Sequence, residues 1–271
     1  MILPKDMGLT SANFTLLRGI PLFLNLTVHL VERDFKGLYR RALLGPFWAI
    51  LQPVAYVVLF SYLRGVFDIT TSGVPYPLFA FCALLPWTFF ANGVMRSAPS
   101  IISNAAILKK MAIPHAVFPV SAVVAAAIDF LLASMVFIAM MVWYGFAPGW
   151  QVVWVVPLLL LTALLALGLG LLVAALGAFR RDVVLAAPFA MQFLLLATPV
   201  LYALEQIPEQ WHTLVALNPM TGIVEGFRRV VVLNLPPDGQ LLLASLTITC
   251  LVWLVAWPLF RFLSRYFSDS L

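Results

Sequence analysis

Charged side chains set inside apolar stretches are the residues of this sequence that could do chemistry. Residues 214–233, LVALNPMTGIVEGFRRVVVL, carry Glu225, Arg228 and Arg229 in an apolar run that Asn218-Pro219 interrupts. Asp129 is the one carboxylate near the middle of a long apolar stretch, AAAIDFLLAS. An ionisable group at bilayer depth costs about 2.5–3.5 kcal/mol on insertion scales, so each needs a partner or a task. For Asp129 two tasks stay open: a structural hydrogen bond to a polar residue on a neighbouring span, or a gating or coupling role. A proton-coupled carrier usually needs more than one such group.

Familiar catalytic patterns are missing. None of the four lysines follows a glycine, so the chain has no recognisable phosphate loop. There is no His-Glu-x-x-His, Cys-x-x-Cys or Gly-x-Ser-x-Gly, and His29, His115 and His212 are far apart. No catalytic residue, metal site or cofactor of its own is expected.

A third group could handle sugars. Trp48, Gln52, Tyr56 and Phe60 recur every four residues and share one helical face. Gln52 precedes Pro53, and an amide in an apolar helix wants a polar partner or water. Trp87, Phe89 and Phe90 lie near Pro86, and Phe189, Gln192 and Phe193 follow Pro188. Rings with a few hydrogen-bonding groups suit a sugar chain, whose C–H faces stack and whose hydroxyls need partners. Stripes at this spacing are also ordinary packing, and both readings stay open.

The elements that carry these residues follow from composition. The chain has 271 residues, 63% hydrophobic and 10% charged, with mean hydropathy +1.03. So much apolar surface cannot hide in a soluble core, and the long unbroken apolar runs predict membrane-spanning helices. Six spans are expected, at about 43–65, 76–95, 116–143, 152–177, 183–204 and 240–262. The first long apolar run begins only near Leu43, so no cleavable signal peptide is expected. Cys82 and Cys250 fall within spans and read as small apolar side chains.

Thirteen basic residues, among them Arg33, Lys36, Arg40, Arg41, Arg96, Lys109, Lys110, Arg180, Arg181, Arg261 and Arg265, fall on one side of these spans. Arg64, Arg228 and Arg229 fall on the other. Basic residues stay cytoplasmic, which places both termini inside. The net charge of +5 then reflects membrane sidedness rather than nucleic-acid binding. With both ends inside, 214–233 cannot cross. It reads as a short apolar piece, 211–217, and a helix at about 220–232 that dip into the outer leaflet and return, bordering a pathway. A flat amphipathic surface helix is the alternative.

On the cytoplasmic side, 20–42 suits an interfacial helix, a membrane anchor or a docking surface. The loop 96–115 predicts a short helix capped by Ser103 or Asn104 and stopped by Pro114. It would show Ile107, Leu108 and Met111 beside Lys109 and Lys110, to a partner's groove or as a plain connecting turn.

Several stretches carry a resemblance: RDFKGLYRRALLGPFWAILQP at 33–53, YPLFAFCALLPWTFFANG at 76–93, NAAILKKMAIPH at 104–115, FRRDV at 179–183, TPVLY at 198–202 and LNPMTGIVEGFRR at 217–229. In this order they resemble the transmembrane permease of bacterial ABC exporters for lipid-linked polysaccharides such as O-antigen, teichoic acid and capsule glycans. The resemblance implies an all-α integral membrane fold: an N-terminal segment, 1–42, with an amphipathic interface helix, and a six-span permease domain, 43–271. A re-entrant periplasmic pair at about 205–235 lies between spans five and six.

It further implies a homodimer in the bacterial inner membrane, served by two copies of a cytoplasmic ATPase that bind ATP and Mg. The permease itself would be no enzyme. Its substrate would be an undecaprenyl-pyrophosphate-linked glycan, its place lipopolysaccharide biosynthesis. Spans one and five would line the path at the dimer interface, so Trp48, Gln52, Tyr56, Phe60, Phe189 and Phe193 are expected there, with Trp87 and Phe90 from span two. Asn218, Pro219, Glu225, Arg228 and Arg229 are expected at the periplasmic gate. Ile107, Leu108, Lys109, Lys110 and Met111 are expected to couple to the ATPase. Arg33, Arg40 and Arg41 are expected to meet the pyrophosphate. Rivals are a permease for a small lipid or drug, and a membrane enzyme acting on lipid-linked sugars through Asp68, Glu205 or Glu209.

Overall fold

The computed structural model describes residues 23–34, 36–37, 47–67, 73–109 and 113–267, without the side chains of 49, 52, 53, 60 and 63–67. Among the described residues every regular element is a helix. Helix α1 covers 23–34. It is followed by α2 (Trp48–Phe67), α3 (Tyr76–Ser97), the single turns α4 (Ser100–Ser103) and α5 (Ala105–Leu108), and α6 (Val117–Trp143). A 3-10 turn, Trp150–Trp154, leads into α7 (Val155–Phe179), then α8 (Arg181–Ala197), α9 (Glu209–Ala216), α10 (Pro219–Val231) and α11 (Gly239–Leu263).

Four of these helices are long and apolar enough to cross a bilayer: Tyr76–Ser97, Val117–Trp143, Trp150–Phe179 and Gly239–Tyr266. The two other expected spans correspond to α2 and α8. The fifth expected span, 183–204, is shortened: α8 stops at Ala197, giving 17 residues or about 25 Å at 1.5 Å per residue. Pro199 is the reason. A residue before proline avoids helical backbone, and Thr198 is extended at φ −101°, ψ 136°.

Helix α3 is the centre of the bundle and packs against α2, α6, α7, α8 and α10. Leu78, Ala80, Phe81, Cys82, Ala83 and Leu84 are wholly buried, so every face of α3 is covered. Its start follows Pro75, and Pro77 sits in the first turn, where a missing N–H costs nothing. Small residues let helices approach closely where lipid supplies little driving force. A Cβ on Gly170 of α7 would lie 2.7 Å from Ser97 Oγ at the end of α3. Helix α11 packs on α7 and α10. Its N-terminus is capped by the Asp238 carboxylate, which accepts from the N–H groups of Gln240 and Leu241.

Up-and-down connectivity gives the bundle two unlike ends. One gathers α4, α5, the start of α6 and the end of α11, where Phe118, Leu171, Phe260 and Phe267 form a second buried cluster. The other holds α9 and α10. The described residues of the loop 96–115 hold two four-residue turns, Ser100–Ser103 and Ala105–Leu108, where one helix capped by a side chain was expected. The Asn104 side chain does not cap; its Nδ2 donates back to Ser100 O at 2.7 Å.

Candidate functional site

Helix α10 is built around charge. Asn218 caps it, its Oδ1 accepting from Met220 N–H at 3.0 Å, and Pro219 takes the first helical position. Ten of its thirteen residues are buried, including Glu225 and Arg228. Arg228 is 1% exposed, the largest wholly buried side chain described. Its Nη1 donates to Glu225 Oε2 at 3.1 Å, and its Nη2 donates to the carbonyls of Pro199 and Val200 at 2.9 and 2.8 Å. Its guanidinium carbon lies 3.8 Å from the centre of the Phe79 ring of α3. A buried cation persists only when paired and hydrogen-bonded, and here helix, loop and ring share that work.

The segment Thr198–Ala203 is therefore strapped down. Asn218 Nδ2 donates to Thr198 Oγ1 at 2.7 Å, Arg228 holds the next two carbonyls, and Tyr76 Oη donates to Leu201 O at 3.0 Å. Ser245 Oγ of α11 reaches Pro219 O at 2.8 Å. Arg229 is only half-buried; its Nε donates to Pro236 O at 2.9 Å. Among the five residues expected at a gate, Asn218, Glu225 and Arg228 thus belong to a tied core. Helix α9, by contrast, buries no side chain, and an apolar groove of about 830 Å³ with Leu201, Tyr202 and Trp211 in its walls separates it from α8. Burial raises the Tyr202 hydroxyl above its usual range, so it stays a neutral donor, to Leu196 O at 2.9 Å.

The aromatic residues split. Trp48 on α2 and Phe189 and Phe193 on α8 are exposed, the last by 74%, and Tyr56 is half-buried. The side chains of Gln52 and Phe60 lie outside the described residues. Trp87 and Phe90 stand differently: both are buried, with ring centroids 5.7 Å apart, and pack the core of α3 rather than presenting a free face. Gln192 is exposed beside Phe193 and has no hydrogen-bond partner among the described residues.

At the opposite end, Asp129 is buried in an ion pair with Arg96 of the last turn of α3. Arg96 had counted only as a sidedness marker; the α3–α6 contact is what makes it a partner. Leu108 packs into the Phe118–Phe267 cluster, Ile107 lies against it, and Lys109 is exposed. Lys110 and Met111 lie outside the described residues, as do Arg40, Arg41 and Asp68. Arg33 is half-exposed and pairs with Asp34, its Nη2 at 2.7 Å. Lys36 hydrogen-bonds Glu32 and holds that carboxyl below its usual range. Among the described residues no group of His, Cys, Asp and Glu could hold a metal, and Cys82 and Cys250 are free thiols.

Comparison with known proteins adds kinship to this geometry. The chain is 28% identical over 259 residues to the O-antigen export system permease protein RfbA of Myxococcus xanthus, covering 94% of this chain and 99% of that one. A Klebsiella pneumoniae protein of the same name is 27% identical over 206 residues, covering 75% and 79%. The polysialic acid transport protein KpsM of Escherichia coli is 23% identical over 238 residues, covering 84% and 90%. A profile described as ABC-2 type transporter matches residues 25–232, a span from α1 through α10. The chain belongs to the ABC-2 type transporter membrane family.

Proposed function

We propose that this chain is the membrane subunit of an ATP-driven exporter that carries a lipid-linked polysaccharide of the O-antigen type out of the bacterial cytoplasm. The observation that carries the reading is similarity to a named O-antigen export permease over nearly the full length of both chains. In this reading six helices cross, α2 and α8 among them, with both termini cytoplasmic. Two copies meet through α2 and α8 and enclose a path lined by Trp48, Gln52, Tyr56, Phe60, Phe189 and Phe193. Exposed Gln192 supports this assignment, because an unpartnered amide fits a wet or protein-facing surface better than lipid.

The α9–α10 pair forms the outer gate. Because α10 is tied to α3, α11 and the 198–203 strap, α9 is the part free to swing. Helix α1 and the α4–α5 turns receive the motion of a cytoplasmic ATPase, Leu108 anchoring the turn and Lys109 facing the partner. Arg33, Arg40 and Arg41 meet the pyrophosphate that links glycan to undecaprenol; paired guanidinium groups suit phosphate oxygens.

The test is purification of the tagged chain from its native host in mild detergent, with identification of whatever stays bound. The expected result is a stoichiometric ATPase and a lipid-linked glycan, together with loss of the surface glycan when the gene is deleted. A permease recovered alone from a host that keeps its surface glycan after deletion overturns the reading.

A further inference from the structure

The exporter reading gives two parts of the chain to a cytoplasmic ATPase, α1 and the α4–α5 turns, and both end in one place. Helix α1 sends Leu30, and the turns send Ile101, Ile107 and Leu108, into the same apolar cluster. The far wall of that cluster belongs to α7 and α11, through Leu171, Ala175, Ala256 and Phe260. Four-residue turns close few backbone hydrogen bonds of their own, so they hold a position only through what their side chains touch. Close-packed apolar contacts yield little and pass a displacement on.

Phe267 closes the cluster. It follows the 3-10 turn Ser264–Tyr266 just past α11, where Arg265 and Tyr266 are exposed, yet it is wholly buried. Three rings surround it. His115 lies 5.4 Å away between ring centroids with the planes at 63°, Phe260 at 5.9 Å and 74°, and Phe179 at 5.9 Å and 45°. The first two are edge-on contacts, a favoured arrangement for aromatic pairs. Burial holds the His115 imidazole below its usual range, so it packs there as a neutral ring. Each ring comes from a different part of the chain: His115 from the end of the 96–115 loop, Phe260 from α11, and Phe179 from the last position of α7.

Phe179 leads directly to α8. Arg180 alone, extended at φ −135° and ψ 106°, separates the two helices. Gly177 lets this corner seat tightly, because a Cβ there would lie 2.9 Å from Ala98 O at the end of α3 and 3.0 Å from a Val184 methyl of α8. One ring cluster thus connects the turns to α8, the helix that carries Phe189 and Phe193. We infer that Phe267 is a positioning residue for export: it seats α1 and the α4–α5 turns on the α7–α8 corner, so that movement at the cytoplasmic face becomes movement of α8. The inference rests on the exporter reading. Its rival is that Phe267 only fills space.

The test uses the full chain with its ATPase and reads two quantities: the surface glycan of the native host, and ATP hydrolysis by the complex purified in mild detergent. Phe267→Ala should keep the ATPase bound and hydrolysing, while surface glycan relative to ATP hydrolysed falls roughly tenfold, within the range that remote couplings span. Phe267→Leu refills the space and should recover most of that loss. Phe137→Ala is the control for lost packing, because it empties a buried ring that stacks on Phe81 in the α3–α6 core, outside this cluster. It should lower the melting temperature and leave the ratio unchanged. His115→Ala, at the half-buried rim, should lower the ratio by a smaller factor, and it decides the matter if Phe267→Ala does not reach the membrane. A ratio unchanged in the deciding variant overturns the inference, as does an equal fall in Phe137→Ala. A parent chain that binds no ATPase overturns the exporter reading and this inference with it. A parent that binds the ATPase and exports, with the ratio unmoved in the variants, overturns this inference alone.

Discussion

Arg228 joins three parts of the protein with one side chain, and its removal should be felt in all three. It pairs with Glu225, holds the Pro199 and Val200 carbonyls, and covers the Phe79 ring. Breaking a buried pair by deleting one partner costs roughly 3–5 kcal/mol, because the other charge stays buried alone. Arg228→Ala should therefore lower the melting temperature sharply and expose 198–203 to protease. Arg228→Lys keeps the charge but loses the planar fork, so it should fall between. An Arg228→Ala protein that melts with the parent would refute the strap. The Arg96–Asp129 pair poses a different question, because Asp129 was open to either a structural or a coupling task. A structural pair predicts that Arg96→Gln with Asp129→Asn is no less stable than the worse single variant, as a double-mutant cycle would report. If instead Asp129→Asn folds normally and abolishes export, the coupling task stands.

At the scale of elements, α10 shows what a sequence can and cannot disclose. The two short helices were legible from the Asn218-Pro219 break, and their observed bounds, Glu209–Ala216 and Pro219–Val231, lie within a few residues of those expected. Membrane character and the position of each long helix were legible from uninterrupted apolar runs. What α10 packs against was not, because burial of Arg228 depends on Phe79 and Pro199, residues far away in sequence. The early stop of α8 had a local signal in Thr198-Pro199, but the apolar run through Leu204 outweighed it. Trp87 and Phe90 resembled the α2 stripe in sequence; only the all-round burial of α3 separates them from it. Close packing of α10 on α11 gives a sharp prediction. A Cβ on Gly222 would meet Leu241 O at 2.4 Å and Ser245 Oγ at 2.4 Å, and the carbonyl is backbone that cannot swing away. Gly222→Val should push the two helices apart, break the Ser245–Pro219 hydrogen bond and lower the melting temperature, whereas Gly239→Ala, with open space around it, should not. Equal melting of the two variants would mean that α10 is not seated as described.

The whole molecule presents two kinds of apolar surface, and polar residues tell them apart. Lipid chains and leucine side chains are equally apolar, so exposure of Leu251 and Leu254 on α11 or of Phe189 and Phe193 on α8 does not by itself name the neighbour. Thr247 on the exposed side of α11 satisfies its own hydroxyl by donating to Leu243 O at 2.8 Å, as a lipid-facing residue must. Gln192 on α8 has no such internal partner, and lipid offers it none. The α8 face should therefore meet protein or water, and the α11 face lipid. In a protein whose exposed Cys250 is replaced by serine, Phe193→Cys should cross-link to a second copy when native membranes are oxidised, while Leu254→Cys should not. Adding the cargo lipid and ATP should slow the α8 cross-link if the face lines the path, because a glycan between two copies holds the thiols apart. Cross-linking through α11 but not α8 would place the contact between copies on the opposite side of the bundle and remove the aromatic face of α8 from the transport path.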